Sequence, residues 1–376
     1  MEKYSIDKNY IKEKLIDLVS IYSVTGSEEQ VARYITHELL VIGVENVELM
    51  HVEGEMFNVT GSISGGESGP TVLFTGHMDT VPAGEGWLTD PFRAYIDGDR
   101  LYGRGALDMK SGIAAVLGAV KAVAKEKETL RGTIRIAFVS DEEATSKGVN
   151  KLINSGLAAD FGIAAEPENN PMIVGAVGKM LIKVTAKGVA AHGSQPKKCV
   201  NAVEEMSRFI SELPNATIPT HPEIPSQPYV TLKIEGGFKE YSIVVPESCT
   251  ALINKHTVPS ETSEYVLEQL QTIVDKINSK ANFSFEIMDP YYPAFDLGND
   301  IPFMDKLKKI FNSVTGEELK TGYCTGVSDN NRIVPLTGIP VVCLGAKGDG
   351  LHSKNEWVSL ESVYQISEVY YRLVED

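Results

Sequence analysis

The sequence predicts an α/β protein. It reads as a mixed-sheet domain with helices on both faces, interrupted by an inserted α+β two-layer sandwich that forms a lid. Three observations predict it. Apolar, β-rich runs alternate with helical periodicities over the first half of the chain. Near Gly178 the order changes to β-α-β-β-α-β, that of a small two-layer sandwich. After Asp289-Pro290-Tyr291-Tyr292-Pro293 the α/β pattern returns. The chain therefore divides into 1–178, 179–290 and 291–376, the first and last parts making one discontinuous domain.

The elements follow in order. Ile11, Leu15, Leu18 and Val19 stand at helical spacing, and Ser23-Val24-Thr25-Gly26 breaks that helix. Ser27 with Gln30 reads as a capping box for a second helix through Leu40. Strands are expected over 47–51, 57–62 and 71–75, then a helix over 110–125, a buried strand over 132–140, a short helix near Asn150 and a strand over 161–164. In the insert, strands are expected over 180–189, 229–234, 250–256 and 283–287, with helices over 201–213 and 263–279 and a Pro-rich loop over 214–228. The last part reads as a helix over 302–311, a strand over 341–344 and a helix from Glu361. No internal repeat or low-complexity segment is evident.

Composition narrows the function classes. The 376 residues carry 35 basic and 51 acidic side chains, a net charge of −16 that repels phosphate backbones and anionic membranes. No basic stripe with interleaved aromatics argues for nucleic acid. No run approaches the ~18 apolar residues of a membrane span. The charged start, Met1 to Lys8, lacks the apolar run of a secretory signal. Cys199, Cys249, Cys324 and Cys343 form no C-x-x-C pair and read as free thiols of a reducing compartment. A cytoplasmic chain with a small-molecule substrate, and no nucleic-acid or membrane partner, is the expectation.

The chemistry gathers at strand ends, where open α/β sheets place their sites. The strand through Phe74 runs into Gly76-His77-Met78-Asp79, and His77 and Asp79 lie on one side of an extended chain. Asp108 sits in a Gly-rich loop just before a helix. Asp141-Glu142-Glu143 follows one apolar strand, Glu166-Pro167 another, and His352 follows the strand 341–344 after a glycine-rich loop. Singly, these residues have plainer roles: a helix N-cap for Asp108, a solvated loop for 141–143, a turn for Glu166-Pro167. Jointly, imidazoles and carboxylates at the ends of one sheet are what a pair of zinc-like ions needs. Such a pair takes one bridging carboxylate, and a further carboxylate must stay off the metals to accept a proton from water.

The motif text, Gly76-His77-Met78-Asp79-Thr80-Val81-Pro82, Gly103-Arg104-Gly105 with Asp108-Met109-Lys110, Glu142-Glu143 and Glu166-Pro167, resembles the dinuclear zinc family of acetylornithine deacetylase, succinyl-diaminopimelate desuccinylase, aminoacylase and carboxypeptidase G. The resemblance spans nearly the whole chain. It implies that His77 and Glu166 bind one metal, His352 and Glu143 the other, and that Asp108 bridges them. It implies Asp79 as the group that orients His77, Glu142 as general base, and a cis Asp108–Met109 peptide. Ala191-His192-Gly193-Ser194 is similar to the family's lid motif, which implies that His192 stabilises the oxyanion from across a homodimer formed through the lid. The implied cofactors are two divalent ions, Zn first, with Co or Mn as alternatives.

Departures bear on substrate. His256, with Lys255 beside it, stands where the family usually carries a carboxylate-gripping Arg, and neither offers the bidentate fork of Arg. Gly326 and Ser328 lie in a glycine-rich segment with Val327 and Asn331 at positions where desuccinylases usually have Thr and Arg, and Glu168 replaces a usual Thr. These four positions, His256, Lys255, Gly326 and Ser328, are the candidate substrate contacts. The leading expectation is a deacylase of N-acyl amino acids; the alternatives are a di- or carboxypeptidase on the same scaffold and a non-catalytic binding protein that kept the fold.

Overall fold

The structure is a computed structural model and describes residues 5–128, 130–240, 242–299 and 301–375. The first four residues of the charged N-terminal stretch lie outside them. Two compact units are present. The first comprises Met1–Gly175, Leu297–Gly322 and Ser328–Asp376; the second comprises Ala176–Asp296 and Tyr323–Val327.

In the first unit a mixed sheet runs in the order Glu45–Glu53, Met56–Ser64, Arg131–Val139, Glu67–His77, Phe161–Ala164, Val341–Cys343, Met172–Ala176. The strand ending at His77 is parallel to both its neighbours, and Val341–Cys343 is parallel to Phe161–Ala164. Consecutive residues Val72, Leu73 and Phe74 are all buried, so both faces of the sheet are covered. The helix Lys110–Ala124 is buried almost all round, against the helices Lys8–Ser20 and Leu360–Glu375. Gly118 permits that approach: a Cβ there would stand 2.5 Å from Ile11 and 2.7 Å from Ser367.

Two local expectations are corrected. The second helix starts at Glu29 without a capping box: Glu28 takes the N-cap position, the Ser27 amide donates to the Val24 carbonyl at 2.9 Å, and the Glu28 carboxylate accepts the Asp141 amide at 3.2 Å. That helix continues to Ile42 and stops at Gly43, which takes the left-handed conformation of a helix C-terminus. A second small sheet, in the order Gly348–Asp349, Trp357–Ser359, Arg100–Tyr102, Tyr95–Asp97, joins segments far apart in sequence. Its two- and three-residue strands are too short to show alternation.

The second unit has the order strand Gly178–Lys187, helix Ala202–Glu212, strands Val230–Gly236 and Ser248–Thr257, helix Ser263–Lys276, strand Asn282–Tyr292. All its strand pairs are antiparallel. Met180, Ile182, Val184 and Ile253 of the sheet pack with Met206 and Phe209 of the first helix and Leu270 of the second. Asn201 caps the first helix by accepting from Val203 and Glu204 amides. The strand Asn282–Tyr292 runs on through most of the segment that reads as a linker. Among the described residues, no helix is long and apolar enough to cross a membrane.

Candidate active site

Three parallel strands deliver the site. His77 pairs in register with Val139, and Thr75 with Ala164, so the chain leaves all three strands at one edge of the sheet. His77 closes the middle strand, Glu142 and Glu143 follow one neighbour, and Glu166 follows the other. Asp108 arrives from the loop before the helix Lys110–Ala124, and its peptide to Met109 is cis. Gly112 lets that helix lie against the strand end: a methyl there would stand 1.9 Å from the Ala165 carbonyl oxygen.

The side chains converge. Asp108 Oδ1 lies 3.0 Å from His77 Nε2, and Asp108 Oδ2 lies 3.0 Å from His352 Nε2. His352 Nε2 is also 3.0 Å from Glu143 Oε1, and Glu166 Oε2 is 3.7 Å from His77 Nε2. One ligand atom each from His77, Asp108 and Glu143 fall within 4.8 Å of one another. On the far side of its ring, His77 Nδ1 lies 2.9 Å from the Asp79 carbonyl oxygen and 3.5 Å from Asp79 Oδ1. A proton thereby belongs on Nδ1, and that bond aims Nε2 at Asp108.

This donor set fits divalent metal. Nε2 of His77 faces a carboxylate oxygen, so a cation belongs between them, a second imidazole proton or a metal ion in its place. The electrostatics agree. Burial opposes charge on His77, yet Glu166, Asp108 and Asp79 together hold its pKa well above the ordinary value. Bonds to Asp108 and Glu143 push His352 up to about 10. Burial raises the Asp108 carboxyl, but His352 and His77 outweigh it and hold it low. Surroundings that bind protons this firmly at two imidazoles also attract metal cations.

Asp79 does more than face His77. Fully buried, its carboxylate accepts the Glu142 amide at 3.1 Å, the Glu143 amide at 3.2 Å and the Thr25 hydroxyl at 2.8 Å. It thereby fixes the loop that carries the candidate base. Burial pushes the Glu142 carboxyl well above the usual carboxylate range; His77 opposes the rise, and Glu166, Asp329 and Glu143 add to it.

The remaining candidates divide between the two units. Ser328 belongs to the first unit, where its amide donates to Asn331 Oδ1. His192, His256, Lys255 and Gly326 belong to the second unit. His192 is exposed, and its Nδ1 accepts the Ser194 amide at 3.2 Å, which leaves Nε2 to carry the proton. His256 is half-buried, with Nδ1 3.3 Å from Asn254 Nδ2, and burial together with Lys179 and Lys255 lowers its pKa. Lys255 has no exposed surface: its ammonium donates to the Gln227 carbonyl at 2.7 Å and sits 2.8 Å from Glu261 Oε1, an internal ion pair. The Gly326 amide faces Cys324 Sγ.

Sequence reasoning passed over four acidic groups here. Glu28 holds the Asp141 amide. Burial, with Asp108 adding, pushes Glu168 up to about 7, and burial pushes Asp329 to about 7 as well. Glu356 is wholly buried beneath the Asp108 loop. Only Glu168 carried a signal, as a departure from the family's motif.

Comparisons with known proteins bear on the family and the fold. The profile of peptidase family M20/M25/M40 matches residues 73–376. A succinyl-diaminopimelate desuccinylase from Gluconacetobacter diazotrophicus is 27% identical over 372 residues, covering 96% of this chain and 94% of that protein. Among solved structures, the aminopeptidase PepT from Bacillus cereus superposes with a TM-score of 0.77 at 21% identity, over 98% of both chains. The Bacillus subtilis YXEP protein, a dinuclear metal binding peptidase, does so with a TM-score of 0.72 at 18% identity, over 98% of this chain and 97% of that one. At those identities the two structures show the shared fold. The chain belongs to peptidase family M20/M25/M40 and is a hydrolytic enzyme acting on amides.

Proposed function

We propose that the chain hydrolyses the amide bond of an N-acyl amino acid at a dinuclear metal centre, with zinc before cobalt or manganese, as a cytoplasmic homodimer. The observation that carries this is Asp108, whose two oxygens each face a different imidazole at 3.0 Å. Asp108 would bridge, His77 and Glu166 would hold one ion, and His352 and Glu143 the other. Bound divalent ions supply Lewis acidity that acidifies water and polarises a carbonyl. Glu142 takes the proton from the attacking water and later gives it to the departing nitrogen, a task suited to a carboxyl held above its usual range. Asp79 orients His77 and anchors the Glu142 loop. His192, with its proton on Nε2, donates to the oxyanion from a partner protomer, a contact of the kind worth roughly 3 kcal/mol.

The second unit supports the lid and dimer roles. Val230–Gly236 is an edge strand, and Val230, Leu232 and Ile234 along it are about half exposed, at 46%, 56% and 53%. An apolar edge of this kind invites pairing with a second copy. His256, Gly326 and Ser328 are the proposed substrate contacts, with Lys255 acting behind His256 through its pair with Glu261.

One observation favours a second reading, hydrolysis of short peptides. Glu168 and Asp329 add buried carboxyls near the ligands, Glu168 by Asp108 and Asp329 by Glu142 and Glu166. That field suits a substrate bearing a free ammonium. The test is hydrolysis by zinc- or cobalt-loaded protein of matched N-acetyl amino acids, N-succinyl amino acids, dipeptides and tripeptides. Preference for acyl amino acids supports the first reading and preference for free peptides the second. Activity that survives removal of metal by chelation refutes both.

A further inference from the structure

The loop that carries Asp108 and the loop that carries His352 leave one small sheet at the same end. Arg100–Tyr102 pairs antiparallel with Trp357–Ser359, with Tyr102 opposite Trp357. The chain exits the first strand into residues 103–109 and enters the second from residues 350–356. Between the loops lies Glu356, fully buried. Its Oε1 accepts the Leu107 amide at 2.8 Å and the Asp108 amide at 3.0 Å. Its Oε2 accepts the Gly105 amide at 3.1 Å and Arg104 Nη1 at 2.6 Å. Its carbonyl accepts the Gly103 amide at 3.1 Å.

Arg104 completes the tie. It is 2% exposed, lies over the Trp87 ring at 5.2 Å, and donates through Nη2 to the carbonyl of Ser353, the residue after His352, at 3.1 Å. Gly350 lets the second loop close over Glu356: at φ +83 it adopts a conformation that favours glycine, and a Cβ there would stand 2.9 Å from the Glu356 Cα. One carboxylate thus takes four donors from the segment that ends in the bridging aspartate. One guanidinium links that segment to the loop of an imidazole 3.0 Å from the same aspartate.

We propose that Glu356, with Arg104, is a positioning residue of the metal centre. It sets the spacing of Asp108 and His352 without touching metal or substrate. The inference rests on the dinuclear reading above. Glu356→Gln is nearly isosteric, yet its amide N–H₂ must face backbone N–H groups or Arg104, donor against donor. Asp108 then loses its fixed backbone.

The test is divalent-metal binding by the apo protein, measured by calorimetry with Zn²⁺ and by the visible spectrum of the Co²⁺ form. The comparison set is wild type, Glu356→Gln, Arg104→Lys and Glu205→Gln. Glu205 is a buried carboxylate of the second unit that accepts from Arg208, Ser279 and the Lys280 amide, and it controls for lost stability. Glu356→Gln is expected to weaken metal binding about 10- to 100-fold, the usual cost of removing a partner behind the ligands, and to alter the Co²⁺ spectrum. Arg104→Lys should show the same spectral change to a lesser degree, and decides the matter should Glu356→Gln fail to fold. Glu205→Gln should bind as wild type does. Wild-type affinity and spectrum in folded Glu356→Gln or Arg104→Lys would overturn the inference. Failure of the wild type itself to bind metal would instead overturn the dinuclear reading.

Discussion

Glu142 and Asp108 are both carboxylates of one site, and their surroundings drive them in opposite directions. Burial pushes Glu142 up, with His77 opposing and Glu166 adding. Two imidazoles overcome burial at Asp108 and hold it low. Surroundings of this kind suit the proposed proton carrier and the proposed cation bridge respectively. Glu142→Gln should therefore lower kcat by about 10²- to 10⁴-fold and leave metal content unchanged, read by steady-state kinetics beside elemental analysis. Asp108→Asn should reduce the bound metal from two ions to one or none, measured the same way, because an amide presents one acceptor where two are used. The candidate ligands and base could be located in the sequence because each follows an apolar strand or opens a helix, positions that pattern alone can locate. Glu28, Arg104 and Glu356 were not. Their partners are backbone amides, carbonyls and side chains up to 252 residues away, and no local pattern records such a bond.

At the scale of elements, the strands and helices with full hydrophobic periods were legible. The small sheet at 95–102 and 348–359 was not, because its pairing comes from tertiary contact. The capping box at Ser27 is absent because the Ser27 amide, which Gln30 would have to bond, donates to the Val24 carbonyl and the helix starts one residue later. Close packing supplies a test. Gly112→Ala would place a methyl 1.9 Å from the Ala165 carbonyl. The helix behind Asp108 must then shift from the strand end before Glu166. A loss of about 1–3 kcal/mol is expected in urea denaturation of the metal-free protein. The second unit offers another. Lys255 and Glu261 form a buried pair, so Glu261→Gln strands a buried ammonium and should cost about 3–5 kcal/mol, read from the denaturation midpoint. Burial also lowers the pKa of Lys255 below 10.5. The unfolded chain then binds the extra proton just below pH 10.5, so this residue makes stability rise with pH in that window. Lys255→Met should lack that rise.

At the scale of the whole molecule, the proposed dimer makes a prediction that neither unit makes alone. The exposed apolar residues of Val230–Gly236 lie on a sheet edge, and a 41.0 kDa chain paired through such an edge should run at twice that mass in solution. If His192 serves the site of its partner, the two essential side chains of each site come from different chains. Glu142→Ala and His192→Ala should each be nearly inactive as homodimers. Unfolded together in equal amounts and refolded, half the dimers should be mixed, and each mixed dimer holds one site with both residues intact. Roughly a quarter of wild-type activity should return by that count of a two-fold assembly. A His192 that serves its own chain's site gives a different result: in every mixed dimer one site lacks the base and the other lacks the imidazole, so no activity returns. Mixing the two folded variants without unfolding is the control. Activity that appears there only as fast as subunits exchange places His192 in trans, and a mixture that stays inactive after complete exchange places it in cis.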